Sequence, residues 1–281
     1  MHALILGLAA ALSWGVHDLC VRFVSQRTGI IPALFTALFT GSILVGAAAL
    51  IWGDWDGMTG PAFGLSLLSG VFFAAAGYAL YRAFSIGPVK LVAPLIGSYP
   101  ILSIAMALFQ DQPVSALNWF AVLLVVAGAG CVAVFAAKEE DVHQNALTAI
   151  AWSLAAAFGF ALTFAVGQSA TQAGAELPVL IVTRAAALLA TGLYAVFRRI
   201  VPLPPMDMLP ALCLMGALDA LALGLVLIAG TLPRPEFASV TSSLFGLITV
   251  VLAWLFLRER MTRLQWLSVV VTFCGIACLG L

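Results

Sequence analysis

Four ionisable side chains stand in stretches of nearly pure hydrocarbon: His17, Asp18, Arg184 and Asp219. A charge near a bilayer centre costs at least ~2.5 kcal/mol, so residues of this kind are candidates for function if the surroundings are lipid. Trp14, His17, Asp18 and Val21 follow the i, i+3, i+4, i+7 spacing of one helix face, and that face has to look away from lipid. Asp18 also precedes Arg22 by four residues, the favourable order for an ion pair within a helix. Three roles for Asp18 are open: neutralisation by Arg22, contact with a substrate or proton, or a tie to another helix. Arg184 and Asp219 fall on consecutive antiparallel segments at depths that differ by ~4 Å, within reach of an arginine. Either they pair and fix the two segments together, or they open to a cavity. There Arg184 would bind a carboxylate, for which its bidentate geometry is suited, and Asp219 an ammonium.

Hydroxyls and aromatics supply the rest of a small-ligand site. Tyr78, Tyr81, Ser98 and Tyr99 fall in the third and fourth apolar segments, and Ser239, Thr241, Ser242 and Ser243 in the ninth. Aromatic walls with a few hydroxyls suit pockets for small molecules. The bland alternatives are hydroxyls bonding back to their own helix, and tyrosines in an interfacial belt, Tyr81 above all. Pro94 and Pro100 interrupt the fourth segment, because proline removes a helical donor.

The elements that must position these groups are apolar spans. Of the 281 residues, 63% are hydrophobic and only 9% charged, far below the ~25% charged of a soluble domain. Runs of about twenty apolar residues recur, each long enough to cross a core ~30 Å thick. Glycine, proline and charge divide the chain into ten spans, at about 3–24, 31–52, 61–82, 89–110, 118–137, 146–168, 177–197, 208–230, 236–257 and 263–281. The expected fold class is therefore an all-α membrane protein. The first run lacks a basic leader and a small-residue cleavage site, so it reads as a span and not a signal peptide.

Sliding the chain by 146 residues lays the second half on the first. Leu8–Ala11 falls on Leu154–Ala157, Pro32 on Pro178, Gly70 on Gly216 and Pro100 on Gly246, another helix weakener. This predicts a first repeat over 1–137, a connecting loop over 138–145 and a second repeat over 146–281. Five spans per repeat is an odd number, so the halves enter the membrane in opposite senses. Inverted repeats are a recurrent plan of secondary transporters, with the substrate near the midplane at paired weak points. Pro100 and Gly246 are thus the expected hinges.

The chain resembles the ten-span, EamA-type members of the drug/metabolite transporter superfamily. The resemblance rests on Trp14-Gly15 and on the segment from Ala238 to Leu279, which is similar to the ninth span, Gly-Glu-Arg turn and tenth span of those proteins. Here the turn reads Arg258-Glu259-Arg260, and the first repeat keeps only Gln110-Asp111-Gln112. The resemblance implies a basket of helices around a cavity lined by spans 1–4 and 6–9, with spans 5 and 10 outside, in a bacterial inner membrane. It also implies export of amino acids, other metabolites or drugs, or carriage of sugar phosphates and nucleotide sugars. A dianionic phosphate would want more than one deep cation, and only Arg184 qualifies. Small four-helix relatives carry a first-span carboxylate, but its position falls on Trp14, a turn from Asp18.

Charge and motif exclude other classes. The formal net charge is zero with no basic stripe, so no nucleic-acid partner is expected. No HExxH, G-x-S-x-G or P-loop occurs, and His2, His17 and His143 are too scattered to share a metal. The five cysteines fall within spans and read as buried small hydrophobes. An intramembrane enzyme or receptor is the competing class. Arg22, Arg27, Arg82, Lys90, Lys138, Arg198, Arg199, Arg258, Arg260 and Arg263 gather on one membrane side, against Arg234 on the other. The positive-inside rule then puts both termini outside, whereas many relatives are expected to keep them inside. The reading is a secondary transporter exporting small polar metabolites, amino acids first. Its candidate substrate-binding residues are Trp14, His17, Asp18, Tyr78, Ser98, Tyr99, Arg184, Asp219, Ser242 and Ser243. No cofactor or metal is expected; the partners are a small-molecule substrate, the lipid bilayer and a candidate coupling proton, in a monomer or weak homodimer.

Overall fold

The computed structural model describes residues 2–102, 115–137, 145–232, 236–259 and 261–279. Among them every regular element is helical. In chain order they are α1 (His2–Val24), α2 (Ile30–Trp52), α3 (Gly60–Ile86), α4 (Val89–Gly97), α5 (Ala116–Ala137) and α6 (Ala146–Ala173). Then come α7 (Glu176–Phe197), α8 (Leu209–Ile228), α9 (Glu236–Ser242), α10 (Phe245–Leu252) and α11 (Arg263–Leu279). Seven helical segments are long and apolar enough to cross a membrane, with α9, α10 and the π-turn Ala253–Leu257 counted as one. Shorter apolar helices cover Val89–Leu102, Trp119–Gly128 and Arg263–Cys278. The turn Gln110-Asp111-Gln112, the connecting loop before Asn145, and Lys138, Arg234 and Arg260 lie outside the described residues.

Helix ends follow local chemistry. Thr59 caps α3, its hydroxyl accepting from the Ala62 amide at 3.2 Å, with Pro61 in the first turn. Gly87-Pro88 then stops α3, four residues beyond the expected end, and Gly174 stops α6 five residues late. The outer faces are greasy to a degree water would not tolerate: Leu50, Leu147 and Phe197 are 81–82% exposed.

The fourth and ninth spans are each broken. α4 ends at Gly97, Ser98 and Tyr99 form a turn, and helix resumes at Pro100, which is preorganised for a first helical position. α9 ends at Ser242, and α10 starts at Phe245 after the turn Ser243-Leu244. Both breaks lie beside the expected weak points, and α4 packs on α10.

Helices from the two halves of the chain pack on one another. α3 lies on α6 and α7, α8 lies on α1 and α2, α1 also packs on α9 and α10, and α6 on α4. α5 and α11 pack on each other. At the α3–α7 crossing, a Cβ on Gly70 would strike the Thr183 carbonyl and the Ala186 methyl; at the α8–α2 crossing, one on Gly216 would strike Ala37 and Gly41. Bare backbone at both places lets the helix axes close up.

Candidate functional site

α1, α2, α3, α6, α8 and the two broken spans enclose a cavity of about 30 Å³ at mid-helix depth. Its lining residues are Trp14, His17, Asp18, Leu34, Ala37, Leu38, Phe73, Gly77, Leu80, Tyr81, Tyr99, Phe160, Phe164, Asp219 and Phe245. At roughly 10–15 Å³ per water, it holds two waters or so and is closed around nothing larger.

The Asp219 carboxylate is the anchor of one wall. Arg184 donates from Nη1 to Oδ2 at 2.9 Å, and the Trp14 indole donates to Oδ1 at 3.1 Å. Three helices, α1, α7 and α8, are joined at that one group. Arg184 is completely buried and stands behind Asp219, outside the cavity wall. Among the described residues its Nε and Nη2 have no hydrogen-bond partner, and the Phe73 ring lies 6.0 Å from its guanidinium carbon. Gly41 makes room for it, since a Cβ there would collide with the guanidinium.

The opposite polar group is Asp18. His17 Nδ1 lies 2.8 Å from its Oδ1, while Oδ2 is buried with no hydrogen-bond partner among the described residues. The expected Asp18–Arg22 ion pair does not form. Arg22 turns to the end of α3 and donates to the Phe84 carbonyl at 2.6 Å, a partner from another helix that the i, i+4 rule does not see. The Tyr81 hydroxyl is a third buried group without a partner among the described residues, with its ring 6.2 Å from His17.

Aromatic rings fill the space between. Phe164 packs 5.5 Å from Trp14, 5.1 Å from Tyr99 and 5.9 Å from Phe160, and Phe245 closes on Trp14 at 6.3 Å. Tyr99 also spans the two breaks: its hydroxyl meets the Ser239 carbonyl at 2.5 Å and Ser242 Oγ at 2.6 Å.

Of the residues singled out in the sequence, Trp14, His17, Asp18, Tyr99 and Asp219 line the cavity; Arg184 and Ser242 stand directly behind it. Tyr78 does not: it faces a separate groove, 5.7 Å from Trp152 and 5.6 Å from Tyr194. Ser98 and Ser243 bond back to the Leu95 and Val240 carbonyls at 2.6 and 2.7 Å and leave the wall. Tyr81, passed over as an interfacial residue, takes the place expected of Tyr78. Phe73, Phe160, Phe164 and Phe245 were unmarked, because phenylalanine in an apolar span carries no signal of its own. Among the described residues no cluster of metal-ligating side chains occurs.

The profile of one family matches residues 1–134 and again 147–281, the EamA-like transporter family. The chain belongs to that family. This places it in the drug/metabolite transporter superfamily, as an integral multi-pass membrane protein of a family whose members are transporters. No curated protein matches it. A solved chain described as "Crystal structure of protein" is similar in fold, with a TM-score of 0.68 at 15% identity over 98% of this chain and 95% of that one. The EamA-like chain departs from the expected cavity in one respect: α7 lends no lining residue and acts through Arg184 behind Asp219.

Proposed function

We propose that this EamA-like protein is a secondary active transporter that exports small polar metabolites, amino acids above all. It would work by alternating access between two inverted repeats of five spans. One observation carries the cargo class: among the described residues, unpartnered atoms of both signs lie in the cavity wall, on Asp18, and directly behind it, on Arg184. Asp18 Oδ2 lacks a donor, and Arg184 Nε and Nη2 lack acceptors. Buried polar atoms left unmade cost about 1–3 kcal/mol each, so a zwitterion that satisfies both kinds is favoured. An ammonium would meet Asp18, and a carboxylate would draw Arg184 forward as Asp219 yields. Net charge adds a place for the coupling proton: Arg184 and Asp219 cancel each other, a zwitterion is neutral, and Asp18 is left to carry the proton. The aromatic rings would hold the cargo's body and exclude water.

The inverted-repeat reading is supported by the correspondence of contacts. Residues 37 and 41 become 183 and 187 on adding 146, and these pairs receive Gly216 and Gly70 respectively. The two breaks, Ser98-Tyr99 and Ser243-Leu244, correspond to within one residue on the same offset, which supports Pro100 and Gly246 as the hinge positions. The ten-to-one bias of loop cations supports termini on the outer face of a bacterial inner membrane. The test is efflux from proteoliposomes loaded with a mixture of labelled amino acids, with and without a pH gradient. Loss of particular amino acids at protein-dependent rates is expected; if all stay inside while labelled drugs or phosphorylated metabolites leave, the amino-acid reading falls.

A further inference from the structure

A second, larger space lies beside the cavity. α2, α3, α6 and α7 border a groove of about 510 Å³, on the membrane side where α1 ends and α2 begins. The groove reaches from Ile31 and Tyr194, near the ends of their helices, inward to Val71 and Leu162. Arg82 and Arg198, both exposed, lie within electrostatic range of Tyr78 at its rim. Two cations thus stand near the rim, while the groove itself is lined almost wholly by apolar, small and aromatic side chains.

α3 is the partition between the two spaces, and it alternates. Gly77, Leu80 and Tyr81 face the central cavity, whereas Tyr78 and Ala79 face the groove. Among the described residues, Leu34 alone lines both. It sits over Gly77, where an added Cβ would come within 3.0 Å of its Cδ1. A single branched side chain on α2, opposite a glycine, is thus shared by the 30 Å³ cavity and the 510 Å³ groove.

Hydrogen bonds tie helices together on both membrane sides. Towards the opposite membrane side, Gln168 donates to the Val226 carbonyl and Ser239 Oγ, and Thr171 to the Leu227 carbonyl, at 2.9–3.2 Å. On the near side, Glu259 accepts from the Val89 and Lys90 amides at 3.0 and 3.2 Å, and Arg22 holds Phe84.

We propose that the groove between α2, α3, α6 and α7 is the loading vestibule of the transporter, entered from water on the basic side, with Leu34 as the gate to the central site. This rests on the reading of the central cavity as a cargo site, and it adds the route. Cargo waits in the vestibule; rotation of Leu34 away from Gly77 joins the two spaces.

The experiment reads the route without any cargo. All five native cysteines are replaced and Leu38→Cys is introduced as a reporter inside the central cavity. A charged, membrane-impermeant thiosulfonate is then applied to the basic side of proteoliposomes. Leu34→Ala is expected to speed labelling at least tenfold, and Ala75→Trp, which fills the groove from its exposed edge, to slow it at least tenfold. Variants are compared only where they elute as a single species in detergent. A rate indifferent to both substitutions, or labelling by a lipid-soluble maleimide alone, would overturn the proposal. Because labelling needs no amino acid, a failed efflux assay and a failed gate are read separately.

Discussion

The Asp219 carboxylate is shared by Arg184 and Trp14, and its surroundings fix what each substitution does. Arg184→Met leaves a buried carboxylate with one neutral donor, and removing one partner of a buried pair costs about 3–5 kcal/mol. The prediction is a large fall in thermal stability for Arg184→Met and a much smaller fall for Arg184→Met with Asp219→Leu. Efflux is lost in both, since neither restores the donors. Thermal unfolding in detergent, followed by ring fluorescence, measures the first part. The same residues mark where the sequence was legible. Charged groups in hydrocarbon announce themselves, so Asp18, Arg184 and Asp219 were found from composition alone. Which partner each takes was not, because Arg22 chose a carbonyl on α3 over the carboxylate four residues back.

Between Gly97 and Pro100, and again between Ser242 and Phe245, a helix stops and restarts. These elements were readable because proline and glycine act on the backbone, whatever surrounds them. The choice between Tyr78 and Tyr81 was not readable: residues three apart lie about 60° from each other around a helix, and the cavity edge passes between them. The turn after α10 offers a sharper test. Arg258 has φ 54°, in the left-handed region where a side chain costs about 1–2 kcal/mol and glycine almost nothing. This is where the resemblance leads one to expect glycine. Arg258→Gly should raise stability by about 1 kcal/mol, seen as a higher midpoint in thermal unfolding. Its neighbour Glu259 caps the first turn of α4 through two amides, so Glu259→Ala should lose about 1 kcal/mol. A stability unchanged by Glu259→Ala would mean that the cap contributes nothing.

At the scale of the whole molecule, the packed halves enclose a space of about 30 Å³, too small for any metabolite. Transport therefore requires the helices to part. Hydrogen bonds tie the helices on the side of the α1 N-terminus, and on the other side Leu34 lines both the cavity and the groove. Impermeant labelling of intact cells should find a cysteine placed after Met1 accessible from outside and one at Arg199 protected; the reverse pattern would invert the orientation. The account stands or falls on whether cargo sits between Asp18 and Asp219. The most direct measurement is equilibrium binding of whichever labelled amino acid leaves the proteoliposomes, to purified wild type, Asp18→Asn and Ser98→Ala. The account predicts binding weakened at least tenfold by Asp18→Asn and unchanged by Ser98→Ala, whose hydroxyl is turned to its own helix. Equal binding by Asp18→Asn and wild type would contradict it.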